Sequence, residues 1–490
     1  MPSFRMGMSP AMSLPPSSPS VVAPSPPSSI DLPVRPVPGS YGWPLLGPFS
    51  DRLDYFWFQK PEAFFRKRIE KYKSTVFRTN VPPSFPFFTN VNPSVVALLD
   101  CKSFAHLFDV DLIDKKNVLI GDFMPSVAFT GNMRVGVYQD TSEPQHPRFV
   151  KKFIMDVLKR SSGIWATELA SNLDVMWDDI ESTVSKSSSA GYIFPLQRCL
   201  FAFLCKVLAG ADASCDPDIA KSGHAMLDRW LALQILPTVP IGVLQPLEEI
   251  FLHSFAYPFF LVSGDYNKLY QFIKKEGKEV ITRGETEFGL SQDEVIHNLL
   301  FVLGFNAFGG FSVFLPGLID TIASDETGLE EKLRTEAREK GGPTLSLDSV
   351  KEMHLIQSVV YETLRLNPPV PLQYGRARKD FRLCSHDSAF EIKKGELLCG
   401  YQKLVMRDPV VFDDPESFRP DRFTGGGVQL LDYLYWSNGP QSGSPSESNK
   451  QCAGKDVVTL TASFIVAHMF RRYDSIKGNA TSITAVQKAK

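Results

Sequence analysis

From about residue 147 onward, apolar positions recur mainly at intervals of three and four residues, the period of helices with one buried face. Residues 61–73 show the same spacing and begin with Pro61, a residue favoured in the first turn of a helix. Short runs that predict strands occur at 74–80, 85–90 and 381–400. The pattern therefore predicts a mainly α fold with a small β-rich part.

Residues 299–319 form an uncharged stretch of 21 residues, long enough to cross a bilayer as a helix. The stretch also contains Asn306, Pro316 and four glycines, which are better explained by a locally deformed helix in the core of the domain. We therefore expect no transmembrane helix. A second apolar segment, 251–262, is too short to span a bilayer. Core packing and shallow contact with one leaflet both explain it, so peripheral membrane contact stays open.

Residues 1–37 are dominated by Pro and Ser, which predicts a disordered N-terminal segment followed by a single folded domain over residues 38–490. Up to Ile30 this segment contains no acidic residue and one Arg, a composition that resembles a plastid transit peptide. An ordinary disordered tail explains the same composition. A plastid location is therefore one expectation, and a cytoplasmic location is the other.

The overall composition excludes several classes of function. A net charge of −2 over 490 residues gives no reason to expect nucleic acid as a partner. The seven cysteines show no CxxC spacing, which argues against a disulfide framework and against a zinc site. The 37 Phe residues suit a large pocket for an apolar ligand, and a Phe-rich core without a ligand explains them equally well.

Cys452 is the first candidate for chemistry, because it follows a polar loop and precedes an apolar stretch that is predicted to be helical. A thiolate at the start of a helix is stabilised by the helix dipole and by nearby N–H groups, and such a thiolate can bind iron. Gly454 would let a flat cofactor approach the backbone, and Lys450 can pair with a cofactor carboxylate. A lone cysteine is more often a small core residue.

Glu362 and Arg365 form the second candidate, at positions i and i+3 of a predicted helix that is apolar around them. The same spacing joins Glu331 and Arg334, so the spacing alone indicates little. A buried pair needs a third partner. Arg422, in the irregular Pro- and Asp-rich stretch 412–423, is available for that role.

The order Asn306, Glu362-x-x-Arg365, Pro-Asp-Arg422-Phe and Cys452 resembles the cytochrome P-450 superfamily of haem-thiolate proteins. The resemblance covers about residues 38–490 and implies the cytochrome P-450 (haem-thiolate) fold for one catalytic domain. It implies haem b as the cofactor and Cys452 as the proximal iron ligand. It also implies that Glu362, Arg365 and Arg422 form a structural network behind the haem, and that further haem contacts come from Lys450, Gly454 and Asn449.

Two departures narrow the resemblance to one branch. Cys452 lies thirteen residues after Gly439, nine more than is usual in the superfamily, and Lys450 replaces an Arg. Residues 299–311 contain no acid and no Thr, so they lack the pair that delivers protons to bound oxygen. Both features, with "FNAFGG" and "NKQCAGKD", resemble the plant fatty-acid hydroperoxide enzymes, which are hydroperoxide lyases, allene oxide synthases and divinyl ether synthases.

This resemblance implies a polyunsaturated fatty-acid hydroperoxide as substrate, with homolytic O–O cleavage at ferric haem and no need for O2, NADPH or a reductase. Asn306 is expected to hydrogen-bond the hydroperoxide, unless it only deforms the helix. Leu119 replaces a Phe that can stabilise a carbon radical in the synthases, and Leu119 and Phe308 together favour fragmentation.

We therefore expect a lyase that converts 13-hydroperoxides of linolenic and linoleic acids into a six-carbon aldehyde and a twelve-carbon oxo-acid. Allene oxide synthase is the alternative, and a reductase-dependent monooxygenase is a remote one.

Overall fold

The computed structural model describes residues 32–81, 91–136, 146–253 and 255–489. Residues 1–31 of the predicted disordered segment and the predicted strand at 85–90 lie outside the described residues. A short strand, Val34–Arg35, lies inside the segment 1–37 and pairs in parallel with Ala389 and Phe390. Ordered backbone pairing therefore begins before residue 38.

Helices dominate the part of the chain that the structure describes, as the periodicity predicts. Their bounds are α1 Leu46–Leu53, α2 Lys60–Tyr72, α3 Cys101–Ala105, α4 His146–Ser161, α5 Trp165–Ser187, α6 Ile193–Ala209, α7 Pro217–Ile235, α8 Glu248–Phe251, α9 Ser263–Glu276, α10 Lys278–Phe288, α11 Gln292–Phe301, α12 Gly309–Ala323, α13 Leu329–Lys340, α14 Leu347–Lys351, α15 His354–Leu366, α16 Gln402–Val405 and α17 Lys455–Arg472.

Among the described residues the β-rich part is small and consists of three sheets. The strands are β1 Val34–Arg35, β2 Val76–Asn80, β3 Ser94–Leu98, β4 Ile113–Asp114, β5 Ala190–Gly191, β6 Leu372–Ala377, β7 Phe381–Cys384, β8 Ala389–Ile392, β9 Leu397–Tyr401, β10 Tyr473–Gly478 and β11 Ser482–Lys488. They are ordered β2-β3-β9-β6-β4, β1-β8-β7 and β10-β11-β5. The predicted strands at 74–80 and 381–400 correspond to β2 and to β7, β8 and β9.

The uncharged stretch at 299–319 lies in a continuous helical rod from Gln292 to Ala323, in which a π-helical segment, Val302–Phe308, joins α11 to α12. A capping box between Ser291 and Glu294 begins the rod. By length and composition alone, the rod is long and apolar enough to cross a membrane. It packs on α6, α7 and α15, and half of its most apolar window is buried inside the domain, as expected for a core helix.

The deformation of the rod has a packing cause at Gly304. A Cβ atom added at this position would lie 2.6 Å from the ring of Trp230, so the rod and α7 approach closely only because residue 304 is Gly. Trp230 is fully buried and donates a hydrogen bond of 2.9 Å from Nε1 to the Phe129 carbonyl. The wide π turn thus lies where a large side chain of α7 presses on the rod, and such turns are frequent at functional sites.

Candidate active site

Cys452 lies three residues before α17, at the end of the long polar loop. Its backbone N–H donates to the Ser437 carbonyl at 2.8 Å, and its carbonyl accepts from the Lys455 N–H at 3.1 Å. Its side chain is half-buried. Burial raises the pKa of the thiol, while the backbone N–H of Gly454 and the charge of Lys151 act in the opposite direction. A further positive charge, such as that of a metal ion, would stabilise a thiolate at this position.

Gly454 leaves open the space beside the sulfur. A Cβ added at this position would lie 3.9 Å from the Cys452 Sγ atom, and among the described residues beyond Gly454 and its two chain neighbours no other heavy atom lies within 4 Å of it. This leaves space for a flat group at the backbone of Gly454, and the contact of Gly454 with a cofactor stays a prediction.

The polar loop before Cys452 is internally hydrogen-bonded. Trp436 Nε1 donates to Gln441 Oε1 at 2.9 Å, and Gln451 Nε2 donates to the Pro440 carbonyl at 2.6 Å. Lys455, at the start of α17, donates from Nζ to the Gln441 carbonyl at 2.6 Å. The nine additional residues thus form a defined turn anchored to the first residue of the helix.

Asn449 organises the second half of this loop. Its Nδ2 donates to the Ser444 carbonyl at 2.8 Å, and its Oδ1 accepts from the N–H groups of Ser446 and Gln451 at 3.1 and 3.2 Å. Lys151 of α4 donates to the Asn449 carbonyl at 2.6 Å. The structure therefore uses the Asn449 amide to shape the loop, whereas the sequence resemblance implies a contact with the cofactor.

Two further lysines act together with Lys450, and the sequence analysis did not identify either of them. Burial, and then repulsion by Lys450, lowers the pKa of Lys115 to about 7. Burial also lowers the pKa of Lys151 to about 8; Cys452 opposes this shift and Lys450 adds to it. Lys115 donates to amide oxygens, those of Gln373 at 3.2 Å and of Asn438. Three neighbouring ammonium groups favour a ligand with several negative charges.

A buried ion network connects α15 to the chain that leads to Cys452. Glu362 and Arg365 form a bidentate pair with distances of 2.7 and 2.8 Å, and Arg422 Nε reaches both oxygens of Glu362 at 3.0 and 3.1 Å. The exposed fractions of the three residues are 0, 0 and 4%. The structure thus brings together the three residues that the sequence selects, with Arg422 as the third partner.

The remaining donors of the two guanidinium groups bind main-chain carbonyls. Arg365 Nη1 donates to Met406 at 2.8 Å and to Pro415 at 2.7 Å, and Arg422 Nη2 donates to Asp414 and Ser417 at 3.0 Å each. Carbonyl groups of the irregular segment 406–422 therefore surround two guanidinium groups, that of Arg365 on α15 and that of Arg422. Since α15 also packs on α12 and on α17, the network fixes the cysteine loop relative to the central rod.

Asn306 and Phe308 have opposite environments on that rod. Asn306 is exposed on a face that also carries Gly310, where an added Cβ would meet no heavy atom of the described residues within 4 Å. Phe308 is 0% exposed and belongs to the main hydrophobic core. Residues two positions apart on a helix point in different directions. Phe308 therefore packs the rod in place, and Asn306 alone of the pair is available to a ligand.

Leu119 lies in a narrow turn between β4 and the segment that follows. It bridges to Gly121, which has a φ of +57°, and Ile120 bridges to Phe123. The side chain of Leu119 is half-buried and packs against the main core. An aliphatic side chain is thus presented at the tip of a constrained turn.

The domain is mainly helical, has a cysteine at the start of its C-terminal helix and contains a buried Glu–Arg–Arg network. These features define a haem-thiolate protein of the cytochrome P450 class. A sequence model of the cytochrome P450 family matches residues 325–483. The retinoic acid bound cyanobacterial CYP120A1 superposes with a TM-score of 0.65 at 17% identity, covering 92% of this chain and 94% of that one. This likeness shows the P450 fold, and the P450 family implies a haem-thiolate iron.

Curated relatives narrow the family. The chain is 63% identical to the chloroplastic linolenate hydroperoxide lyase of Arabidopsis thaliana over 95% of both chains. It is 62% identical to the chloroplastic fatty acid hydroperoxide lyase of Solanum lycopersicum, over 95% of this chain and 98% of that one. Identity to the chloroplastic allene oxide synthase of Linum usitatissimum is 40%, over 93% of this chain and 85% of that one. The chain belongs to the fatty-acid hydroperoxide lyase family within the cytochrome P450 superfamily.

The network generates a prediction about stability. Replacing Glu362→Gln removes the carboxylate and leaves two buried guanidinium groups without a counter-charge, which typically costs about 3–5 kcal/mol. We expect the free energy of unfolding, measured by urea denaturation, to fall by that amount. Asp348→Asn is the matched control, because Asp348 and Lys351 form a pair of the same i, i+3 spacing at the surface. An unfolding midpoint that shifts equally in both variants would contradict the assignment.

Proposed function

We propose that the protein cleaves 13-hydroperoxides of linolenic and linoleic acids into a six-carbon aldehyde and a twelve-carbon oxo-acid. The observation that carries this proposal is the gap between 62–63% identity to two hydroperoxide lyases and 40% identity to an allene oxide synthase. Leu119 supports it, because an aliphatic side chain adds bulk without the π-face that would stabilise a carbon radical. Both lyases are described as chloroplastic, and we propose a plastid location for this chain also.

We propose haem b as the cofactor, with Cys452 as the residue that would bind its iron. When bound, ferric haem supplies the one-electron chemistry for homolytic cleavage of an O–O bond. Gly454 leaves space for the flat ring system, and Lys115, Lys151 and Lys450 would pair with its two carboxylates. Pairing with carboxylates would oppose the burial and the repulsion by Lys450 that lower the pKa of Lys115 and Lys151. Haem b fits these side chains, since its iron can bind the Cys452 sulfur and its carboxylates can pair with the ammonium groups of the three lysines.

Asn306 is the proposed contact for the hydroperoxide group. Its amide can donate to one peroxide oxygen and accept from the terminal OH group, which orients the bond without supplying a proton. Residues 299–311 contain no acid and no Thr, consistent with a substrate that brings its own O–O bond. We therefore propose that turnover requires neither a reductase nor NADPH.

The proposed reaction is tested with purified ferric protein and 13-hydroperoxy-linolenate in the absence of NADPH. We expect consumption of the hydroperoxide with formation of six-carbon aldehyde, detected by gas chromatography. Cys452→Ala should form no aldehyde, because the sulfur that holds the iron is gone. Cys215→Ala should retain full activity, because Cys215 is exposed and lies on a different element.

Other products would identify the alternatives. An α-ketol or cyclopentenone product in place of aldehyde would indicate an allene oxide synthase. A requirement for NADPH and a reductase would indicate a monooxygenase, and haem binding without loss of hydroperoxide would indicate a carrier protein.

Lys115 generates a prediction about pH. In the protein without haem its pKa is lowered to about 7, so Lys115 loses its proton above that pH. Binding of a carboxylate favours the ammonium form, so haem affinity should fall as the pH rises from 7 to 9, by up to about tenfold per pH unit. In Lys115→Met, haem affinity measured by Soret titration should be lower at pH 7 and should depend less on pH. The control is Lys116→Met, at an exposed neighbouring position.

We also propose peripheral contact with a membrane through an apolar surface built from two segments, 43–58 and 239–261. A buried cluster joins them: Glu249 accepts from Arg52 and, at 2.8 Å, from Trp57 Nε1, and His253 packs near Phe56. Apolar side chains that are at least 50% exposed project from both segments, namely Trp43, Leu45, Leu46, Phe58, Ile241, Val243, Leu247, Ile250, Phe251, Phe260 and Leu261. Exposed aromatic and aliphatic residues of this kind are typical of interfacial membrane contact, which suits an apolar substrate.

The membrane proposal is tested by co-sedimentation with neutral galactolipid vesicles. Phe260→Ser should weaken vesicle binding by about tenfold or more, because one inserted Phe contributes about 1.5–3 kcal/mol. Phe194→Ser is a matched control, since Phe194 is 70% exposed but lies on α6. Equal loss in both variants, or no loss in Phe260→Ser, would contradict contact through this surface.

A further inference from the structure

The turn that carries Leu119 is fastened to the protein at its first end by Lys115. Lys115 follows β4 and binds Asn438 of the cysteine loop and Gln373 of β6. The Asp114 side chain accepts a hydrogen bond of 2.7 Å from the Lys116 N–H, so the backbone is also held on both sides of Lys115. The first end of the turn is therefore tied to the elements that surround the proposed cofactor.

Asp122 fastens the second end. Its Oδ1 forms an ion pair with Arg376 Nη2 of β6, and its Oδ2 accepts from the Asn92 N–H at 3.3 Å. Arg376 is itself held, since Nη1 donates to the Gly395 carbonyl at 3.0 Å. Its backbone pairs with Asp114 of β4 on one side and with Leu397 of β9 on the other. Arg376 is thus a fixed point of the five-stranded sheet.

The partly exposed location of the Asp122–Arg376 ion pair limits its effect to the neighbouring turn. The side chains of Arg376 and Asp122 are 35 and 20% exposed, so the pair contributes little to the stability of the whole domain. Its effect is local, because Asp122 is three residues from Leu119 across the Gly121 turn. Positional shifts of about 1 Å change reaction rates strongly when competing paths depend on contact with one group. An ion pair that contributes little to the free energy of unfolding can therefore have a large effect on the ratio of products.

We infer that Asp122 and Arg376 are positioning residues that hold Leu119 at the reacting carbon and thereby set the ratio of cleavage to dehydration products. The inference rests on the proposed function, since it concerns the fate of the radical formed from the hydroperoxide. With the ion pair intact, the turn keeps the Leu119 side chain at one distance from the substrate. Without it, the turn relaxes, and the path to the allene oxide competes better.

The inference is tested by product ratios from 13-hydroperoxy-linolenate. Asp122→Asn and Arg376→Gln should each shift the ratio of aldehyde to α-ketol at least threefold toward α-ketol, with unchanged haem content and unfolding midpoint. The double variant Asp122→Arg with Arg376→Asp should restore the ratio at least in part. Asp380→Asn is the control, because Asp380 pairs with Lys393 at 3.2 Å on a neighbouring, more exposed part of the sheet region.

The outcomes separate this inference from the proposed function. If the wild-type protein forms no aldehyde, the proposed function fails. If the wild-type protein forms aldehyde and both single variants keep its product ratio, the positioning role fails, even when total turnover falls. Should Asp122→Asn not fold, Arg376→Gln alone gives the comparison, and Arg376→Lys is its charge-conserving counterpart, which should keep a ratio closer to that of the wild type. An unchanged ratio in Arg376→Gln would then overturn the inference.

Discussion

The buried carboxylate of Glu362 between the guanidinium groups of Arg365 and Arg422 is the interaction on which the site depends. A carboxylate without water must be matched in charge and in hydrogen bonds, and the two guanidinium groups supply both. Their other donors bind carbonyls of segment 406–422, which has little regular structure to hold it otherwise. This segment leads to the cysteine loop, so the position of Cys452 relative to α15 and to the central rod follows from one saturated charge cluster.

The groups near Cys452 differ from this network, because burial opposes their charged forms. Burial raises the pKa of the thiol and lowers that of Lys115 and Lys151, which means that the folded chain disfavours both charged forms. In the complex that we propose, a metal ion bound to the sulfur and carboxylates bound to the lysines would reverse both effects together. A single ligand that carries a metal and two anionic groups would then satisfy both halves of the site, and the folded protein and this cofactor would stabilise each other.

The proposed substrate connects the site to the surface. A fatty-acid hydroperoxide is apolar over most of its length, and the exposed apolar residues of segments 43–58 and 239–261 form a surface suited to lipid. Asn306 offers an exposed amide on the central rod, and Leu119 lies in a turn that is held at both ends. Chemistry that uses a peroxide already present in the substrate needs orientation and steric control more than proton delivery, and orientation and steric control are the roles that we propose for Asn306 and Leu119.

The sequence alone determined the features that depend on neighbours along the chain. Helical periodicity predicted the α content. The composition of residues 299–319 predicted the core rod and its deformation, and motif order selected Cys452, Glu362, Arg365 and Arg422. Tertiary structure decided what joins distant residues: Lys115 meets Asn438 across 323 positions, and Arg376 meets Asp122 across 254. It also decided that Phe308 packs in the core, since helix rotation, set by packing on Trp230 and its neighbours, chooses which side chain faces inward. The local pattern of apolar and polar residues predicts a helix or a strand. Only tertiary packing determines which face of that element is buried and which distant charged residues come into contact.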